Sequence, residues 1–147
     1  MSERVHATCV ALRRGRRWCG VLLRGPSGAG KSDLALRLVD TGARLVSDDQ
    51  TELTRQGNSV MATAPDRIAG LIEVRGVGIV KLARDQIVAR APVVLLVDLA
   101  PVERIERLPD LRHEGVLGVD LPLFVLAAFE PSATVKLQLA LGQIAVA

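Results

Sequence analysis

The chain has 147 residues, enough for one domain with a substantial apolar core. Hydrophobic residues make up 49% of it, which excludes a disordered chain. No apolar run approaches the roughly 20 residues that cross a bilayer, which argues against a membrane protein. A formal net charge of +3 raises nucleic acid as a partner, but the bases would have almost nothing to stack on. Trp18, Phe124 and Phe129 are the only aromatics, and the one basic cluster, Arg13-Arg14-Gly15-Arg16-Arg17, reads as a solvated hairpin tip. No nucleic-acid partner is therefore expected.

In chain order, RVHATCVAL (4–12) is rich in β-formers and predicts a strand, RRGRR a turn, and WCGVLLRG (18–25) a second, buried strand. If these strands are neighbours, Cys9 and Cys19 could lie close together. Two buried thiols remain the simpler reading for a chain with no signal peptide, whose expected location is the cytoplasm. Residues 25–30 form a loop. From 31 to 41, Leu34, Ala35, Leu38 and Val39 recur at helical spacing, and Gly42 stands where a terminating glycine belongs. ARLVS (43–47) is a short strand, and TELTRQGNSVMATA (51–64) a hairpin turning at Gly57-Asn58. PDRIAG (65–70) is a turn or short helix, and LIEVRGVGIVKL (71–82) a strand region with two glycines. PVVLLVDL (92–99) is a strong buried strand, PVERIERL (101–108) starts a helical turn, and GVDLPLFVLA (118–127) is a further strand. PSATVKLQLALG (131–142) is a last helix with Ser132 as its cap. Strands outnumber helices, so the expected fold is a single α/β domain over residues 1–147 on a mixed sheet, not a regular doubly wound one.

The strongest chemical signal is GPSGAGKS: Gly25, Pro26, Ser27, Gly28, Ala29, Gly30, Lys31 and Ser32. It matches G-x-x-x-x-G-K-[ST], the phosphate-binding P-loop, with a strand before it and a helix after it. The glycines let the backbone curl so that its N–H groups face phosphate oxygens, and the helix start adds a positive dipole end. Lys31 would reach the β- and γ-phosphates, and the Ser32 hydroxyl would hold Mg²⁺. The chain has 3 lysines against 16 arginines, yet it places a lysine here, where a compact ammonium fits and a guanidinium fork does not.

A P-loop works with an acid at the end of a neighbouring strand. By pattern the best match is Asp98, which closes VVLLVD. Connection length favours Asp48-Asp49 instead. Between Ser32 and Asp48 there is room for one helix and one short strand, and if that strand runs parallel to the first it ends beside the phosphates. Two carboxylates there can divide the work, one facing the metal and one serving as general base. No N-K-x-D guanine reader is present, because Asn58 is the only asparagine. A small phosphotransferase fits the length best.

GVLLRGPSGAGKSDLALRLVDTGARLVSDD followed by LIEVRGVGIV resembles the C-terminal catalytic domain of the HPr kinase/phosphorylase family. Glu73 to Ile79, EVRGVGI, is similar to the family's signature motif, with Glu73, Arg75, Gly76 and Gly78 at its core. The resemblance is to the short form without the usual N-terminal domain. It implies a fold similar to the nucleotide domain of ATP-dependent phosphoenolpyruvate carboxykinases. It also implies an ATP- and Mg²⁺-dependent kinase for a serine of the carrier protein HPr, a reverse phosphorolysis that yields pyrophosphate, and a hexameric assembly. By position, Asp49 would be the proton acceptor in phosphorylation, Glu73 a second metal ligand beside Ser32, His6 a catalytic histidine and Arg107 an active-site arginine. Asp48 is left to tune its neighbour or face the metal. Two departures weigh against the phosphorylase half and the usual docking of HPr. The family's Pro- and Arg-rich loop is AAFEPSATVK here, without arginine, and the C-terminal helix is cut short at Ala147. A nucleotide sensor with little turnover and a small-metabolite kinase remain open readings.

Overall fold

The computed structural model describes residues 1–144; the end of the chain at Ala147 lies outside the described residues. Strands β1 (Ser2–Val5), β2 (Ala7–Arg14) and β3 (Arg17–Arg24) lead into the P-loop and helix α1 (Lys31–Asp40). Then come β4 (Arg44–Ser47), the hairpin β5 (Thr51–Gln56) and β6 (Ser59–Thr63), and the small hairpin β7 (Leu71–Val74) and β8 (Gly78–Lys81). The long β9 (Arg90–Leu99), the pair β10 (Arg112–Val116) and β11 (Val119–Leu126), and helix α2 (Ala133–Gln143) complete the described residues. The order β1-β5-β6-β9-β3-β2-β4 is one mixed sheet, with β10 and β11 attached through β9. The sheet branches because β9 is long. Its first residues pair antiparallel with β6, while Leu96 to Leu99 pair parallel with β11.

The apolar runs divide between two cores by the two-residue pleat of a strand. Val21, Leu23, Leu95 and Val97 face the helices and pack with Leu34, Leu38 and Leu137. Their neighbours Leu22 and Leu96 face the opposite side and pack with Leu53, Val60, Ala62 and Leu121. Full burial of each such leucine stabilises the fold by about 1.5–3 kcal/mol. Gly20 lets β3 lie this close to β9, since a Cβ there would stand 2.8 Å from the Pro92 carbonyl oxygen.

One local expectation is corrected and two are refined. The strand predicted over 4–12 is broken at His6, where the chain passes from pairing with β5 to pairing with β3 and β4. β2 and β3 are neighbours as supposed, but their thiols are not close. Cys9 is in register with Leu22 and Cys19 with Leu12, and the two side chains lie in different cores as free thiols. Ser132 occupies the N-cap position of α2 but its hydroxyl makes no capping bond. Its carbonyl accepts from the Lys136 N–H at 2.8 Å, so the turn closes through backbone alone. No helix among the described residues is long and apolar enough to cross a membrane.

Candidate active site

β3 ends at Arg24, and the loop that follows curls back before α1 begins. Gly28 and Gly30 hold φ of 86° and 100°, a left-handed conformation that favours glycine. Gly30 is also tightly enclosed: a Cβ there would stand 2.7 Å from the Ala128 Cβ and 3.0 Å from the Phe129 ring. Lys31 is buried, and its ammonium donates to the carbonyls of Gly25 at 2.7 Å and Pro26 at 3.3 Å, which holds it across the mouth of the loop.

The acids reach this loop by a route the topology explains. β4 pairs antiparallel with β2, and β2 with β3, so β4 runs parallel to β3 with β2 between them. Both strands therefore end on the loop's side of the sheet. At Asp48–Gln50 the chain crosses from β4 to β5, next to the crossing at His6 between β1 and β2. The registers Cys9 with Ser47 and Val5 with Thr51 set the two corners side by side. The Gln50 N–H donates to the Asp48 carbonyl at 2.7 Å, and Asp49 is forced to φ 66°. An aspartate tolerates this conformation better than most residues, though at some cost in strain.

Asp48 and Asp49 consequently differ in kind. Asp48 is buried, and its Oδ1 accepts from the Ser32 hydroxyl at 2.5 Å and from the Thr8 hydroxyl at 3.1 Å. Its Oδ2 accepts from the Glu73 backbone N–H at 3.0 Å. Asp49 is exposed, and its Oδ1 lies 2.7 Å from His6 Nε2. Thr8 joins the pair, because its hydroxyl also accepts from the Asp49 N–H at 3.0 Å. The geometry thus offers a fixed carboxylate on the P-loop serine and an accessible one beside a histidine.

His6, Ser27, Gly28, Gly30, Lys31, Ser32, Asp49, Glu73 and Arg75 line one cavity of about 300 Å³. The β7–β8 hairpin supplies Glu73 and Arg75, and its tip is shaped by Gly76 and Gly78 at φ 89° and 121°. Arg107 stands apart: it lies in the exposed stretch between β9 and β10 and does not line this cavity. Asp98 ends β9 on the same edge of the sheet, but Arg24 grips it, Nε to Oδ1 at 2.7 Å and Nη2 to Oδ2 at 3.1 Å. Arg24 also bonds Glu114 through Nη1 at 2.5 Å and Nη2 at 3.0 Å. These bonds, Glu114's first, push the Arg24 pKa up, and the same contact holds the Glu114 carboxyl below its ordinary value. No group of three or more His, Cys, Asp or Glu side chains among the described residues forms a metal cage. A magnesium site needs none, since that ion keeps waters and phosphate oxygens beside one or two carboxylates.

Sequence reasoning missed Thr8, Arg24, Arg37 and Phe129. Thr8 had a faint signal as the single hydroxyl in the buried run Ala7–Leu12. Arg37 had none: it donates to the Ala128 carbonyl and pairs with Asp33, tying the turn after β11 to α1.

Fold and loop together define a P-loop domain carried on a branched mixed sheet. The family model described as HPr Serine kinase C-terminal domain matches residues 1–137, and the chain belongs to that family. The HPr kinase/phosphorylase of Malacoplasma penetrans is 32% identical over 116 residues, which are 73% of this chain and 38% of that protein. The one from Prosthecochloris aestuarii is 38% identical over 117 residues, 73% of this chain and 34% of that protein. The chain thus spans little more than a third of the length of these relatives. The solved structure of the Hpr(Ser) kinase/phosphatase from Coxiella burnetii superposes with a TM-score of 0.82 at 26% identity, over 95% of this chain and 94% of that one.

Proposed function

We propose that the protein is an ATP- and Mg²⁺-dependent kinase that phosphorylates a serine of an HPr-like carrier protein. The observation that carries this reading is the 2.5 Å bond from the Ser32 hydroxyl to the buried Asp48, with the exposed Asp49–His6 pair in the adjoining cavity. Kinship with the HPr kinases supplies the acceptor. Ser32 and Asp48 are the residues that would hold Mg²⁺, with Glu73 next to them; when bound, the ion neutralises charge on the phosphates. The loop amides and Lys31 orient the γ-phosphate. Asp49 accepts the proton of the serine hydroxyl as its oxygen attacks phosphorus and the bond to ADP breaks. His6 holds the Asp49 carboxylate in place.

Reverse phosphorolysis belongs to the same proposal in weaker form. The loop after β11 holds no arginine, and its Glu130 pairs with Lys136 at 2.9 Å, which leaves little positive charge for an attacking phosphate. The test is transfer of labelled phosphate from ATP to purified HPr. Wild type should transfer, Lys31→Ala should lose nucleotide binding, and Asp49→Asn should bind ATP but transfer at least about a hundredfold more slowly. Near-normal transfer by Asp49→Asn would remove the general base, and ATP binding with no transfer by wild type would favour a sensor. A hexamer is the expected assembly, read from the mass in light scattering.

A further inference from the structure

A second cavity, of about 680 Å³, lies on the other side of the P-loop from the acids. Three segments form it: Pro26–Ala29 of the loop, Leu99–Glu103 after β9, and Ala127–Pro131 after β11. These follow three adjacent strands that all run parallel, β3 to β9 and β9 to β11. The crevice beyond the carboxyl ends of parallel strands is where open α/β sheets take their ligands. The walls are mainly apolar, and two of their side chains are left far from buried, Val102 at 53% and Phe129 at 67% exposed. Ser27, Gly28 and Phe129 border both cavities, so the two are continuous over the crest of the loop.

We propose that this cleft receives the nucleoside half of the nucleotide, with the base against Leu99, Val102 and Ala127; the inference rests on the kinase reading above. The acids fix which end of the phosphate chain lies where. Ser32, Asp48, Asp49 and His6 are all on the first side, so the phosphate to be transferred belongs there. The chain of phosphates then leaves across Ser27 and Gly28 into the second cavity, whose size suits a base and a ribose. Glu130 is engaged by Lys136, which leaves Glu103 as the cleft carboxylate that can accept from ribose hydroxyls. Among the described residues no amide side chain lines the cleft, so shape and apolar area carry much of the selection of the base.

Backbone amide NMR spectra recorded with Mg²⁺ and either ATP or inorganic tripolyphosphate test this directly. The amides of Gly28, Gly30, Lys31 and Ser32 should shift with both ligands, and those of Ala100, Val102 and Glu103 with ATP alone. ATP-specific shifts elsewhere, or none, would overturn the assignment while leaving the phosphate site standing. Still loop amides with both ligands would remove the kinase reading and this one with it. Ala100→Leu narrows the cleft and should weaken ATP about tenfold while tripolyphosphate binding stays within about twofold. Unchanged ATP affinity in that variant would also overturn the proposal. A variant that fails to fold is recognised by loss of tripolyphosphate binding, and the wild-type spectra decide without it.

Discussion

Thr8→Val removes one oxygen from the centre of the acid pair and changes almost nothing else in volume. Thr8 is fully buried, so water cannot replace what is lost. Its hydroxyl donates to the Asp48 carboxylate at 3.1 Å, a bond to a charged group worth about 1.5–3 kcal/mol. It also accepts from the Asp49 N–H at 3.0 Å, and leaving that partly buried donor unpaired costs about 1 kcal/mol more. The sum is about 3 kcal/mol, or a fall in Tm of roughly 6–12 °C for a chain of this size. Thr8→Ser keeps both hydrogen bonds and loses one methyl, at about 1 kcal/mol. Thermal unfolding followed by circular dichroism should therefore rank wild type above Thr8→Ser and Thr8→Val last. A Thr8→Val protein as stable as wild type, or more stable than Thr8→Ser, would refute the claim that this hydroxyl holds the pair.

Three further outcomes are expected. Asp48→Asn should bind ATP with a much smaller gain from Mg²⁺, by about tenfold or more in calorimetric titrations with and without the ion, because the carboxylate on Ser32 is gone. Glu114→Gln reports the Arg24 clamp through pH. The folded Glu114 carboxyl is held below its ordinary value, so its contribution is complete above the ordinary carboxylate range and disappears as pH falls through the depressed value. Urea unfolding should show the variant less stable by under about 1 kcal/mol at neutral pH, the group being half exposed, with the gap closing in acid. Native protein at about pH 8 should not react with a thiol-specific disulfide reagent, since thiolate is the reactive form. Burial pushes the Cys9 thiol up to about 12 and raises Cys19 as well; both should react at once in denaturant.

Much of the local structure was written in short-range pattern. The apolar run Val21–Leu23, the phosphate loop with its three glycines and the helical spacing of Leu34, Ala35, Leu38 and Val39 each declare an element from neighbours a few residues away. The hairpin at Gly57-Asn58 is legible for the same reason. β10 was not, because Arg112, His113 and Glu114 alternate nothing; the segment is a strand only because β11 lies alongside and Arg24 waits for Glu114. Phe129 and Arg37 likewise acquire their places from residues far along the chain, at Gly30 and Ala128.

The acids show the division most clearly. From the sequence came a P-loop, three aspartates at strand ends, and a family kinship that singles out Asp49, Glu73 and His6. A carboxylate's role depends on which donors face it, and those come from other strands. Arg24 takes Asp98 because β3 and β9 lie side by side and in register at Arg24 and Asp98. Ser32, Thr8 and the Glu73 N–H take Asp48 because three separate segments meet at the end of β4. Asp49, turned the other way at a left-handed corner, is left to His6 and the open cavity. Adjacent residues in the chain thus face opposite surroundings, a buried anchor and an exposed acid, and the donors that set them apart come together only in the folded sheet.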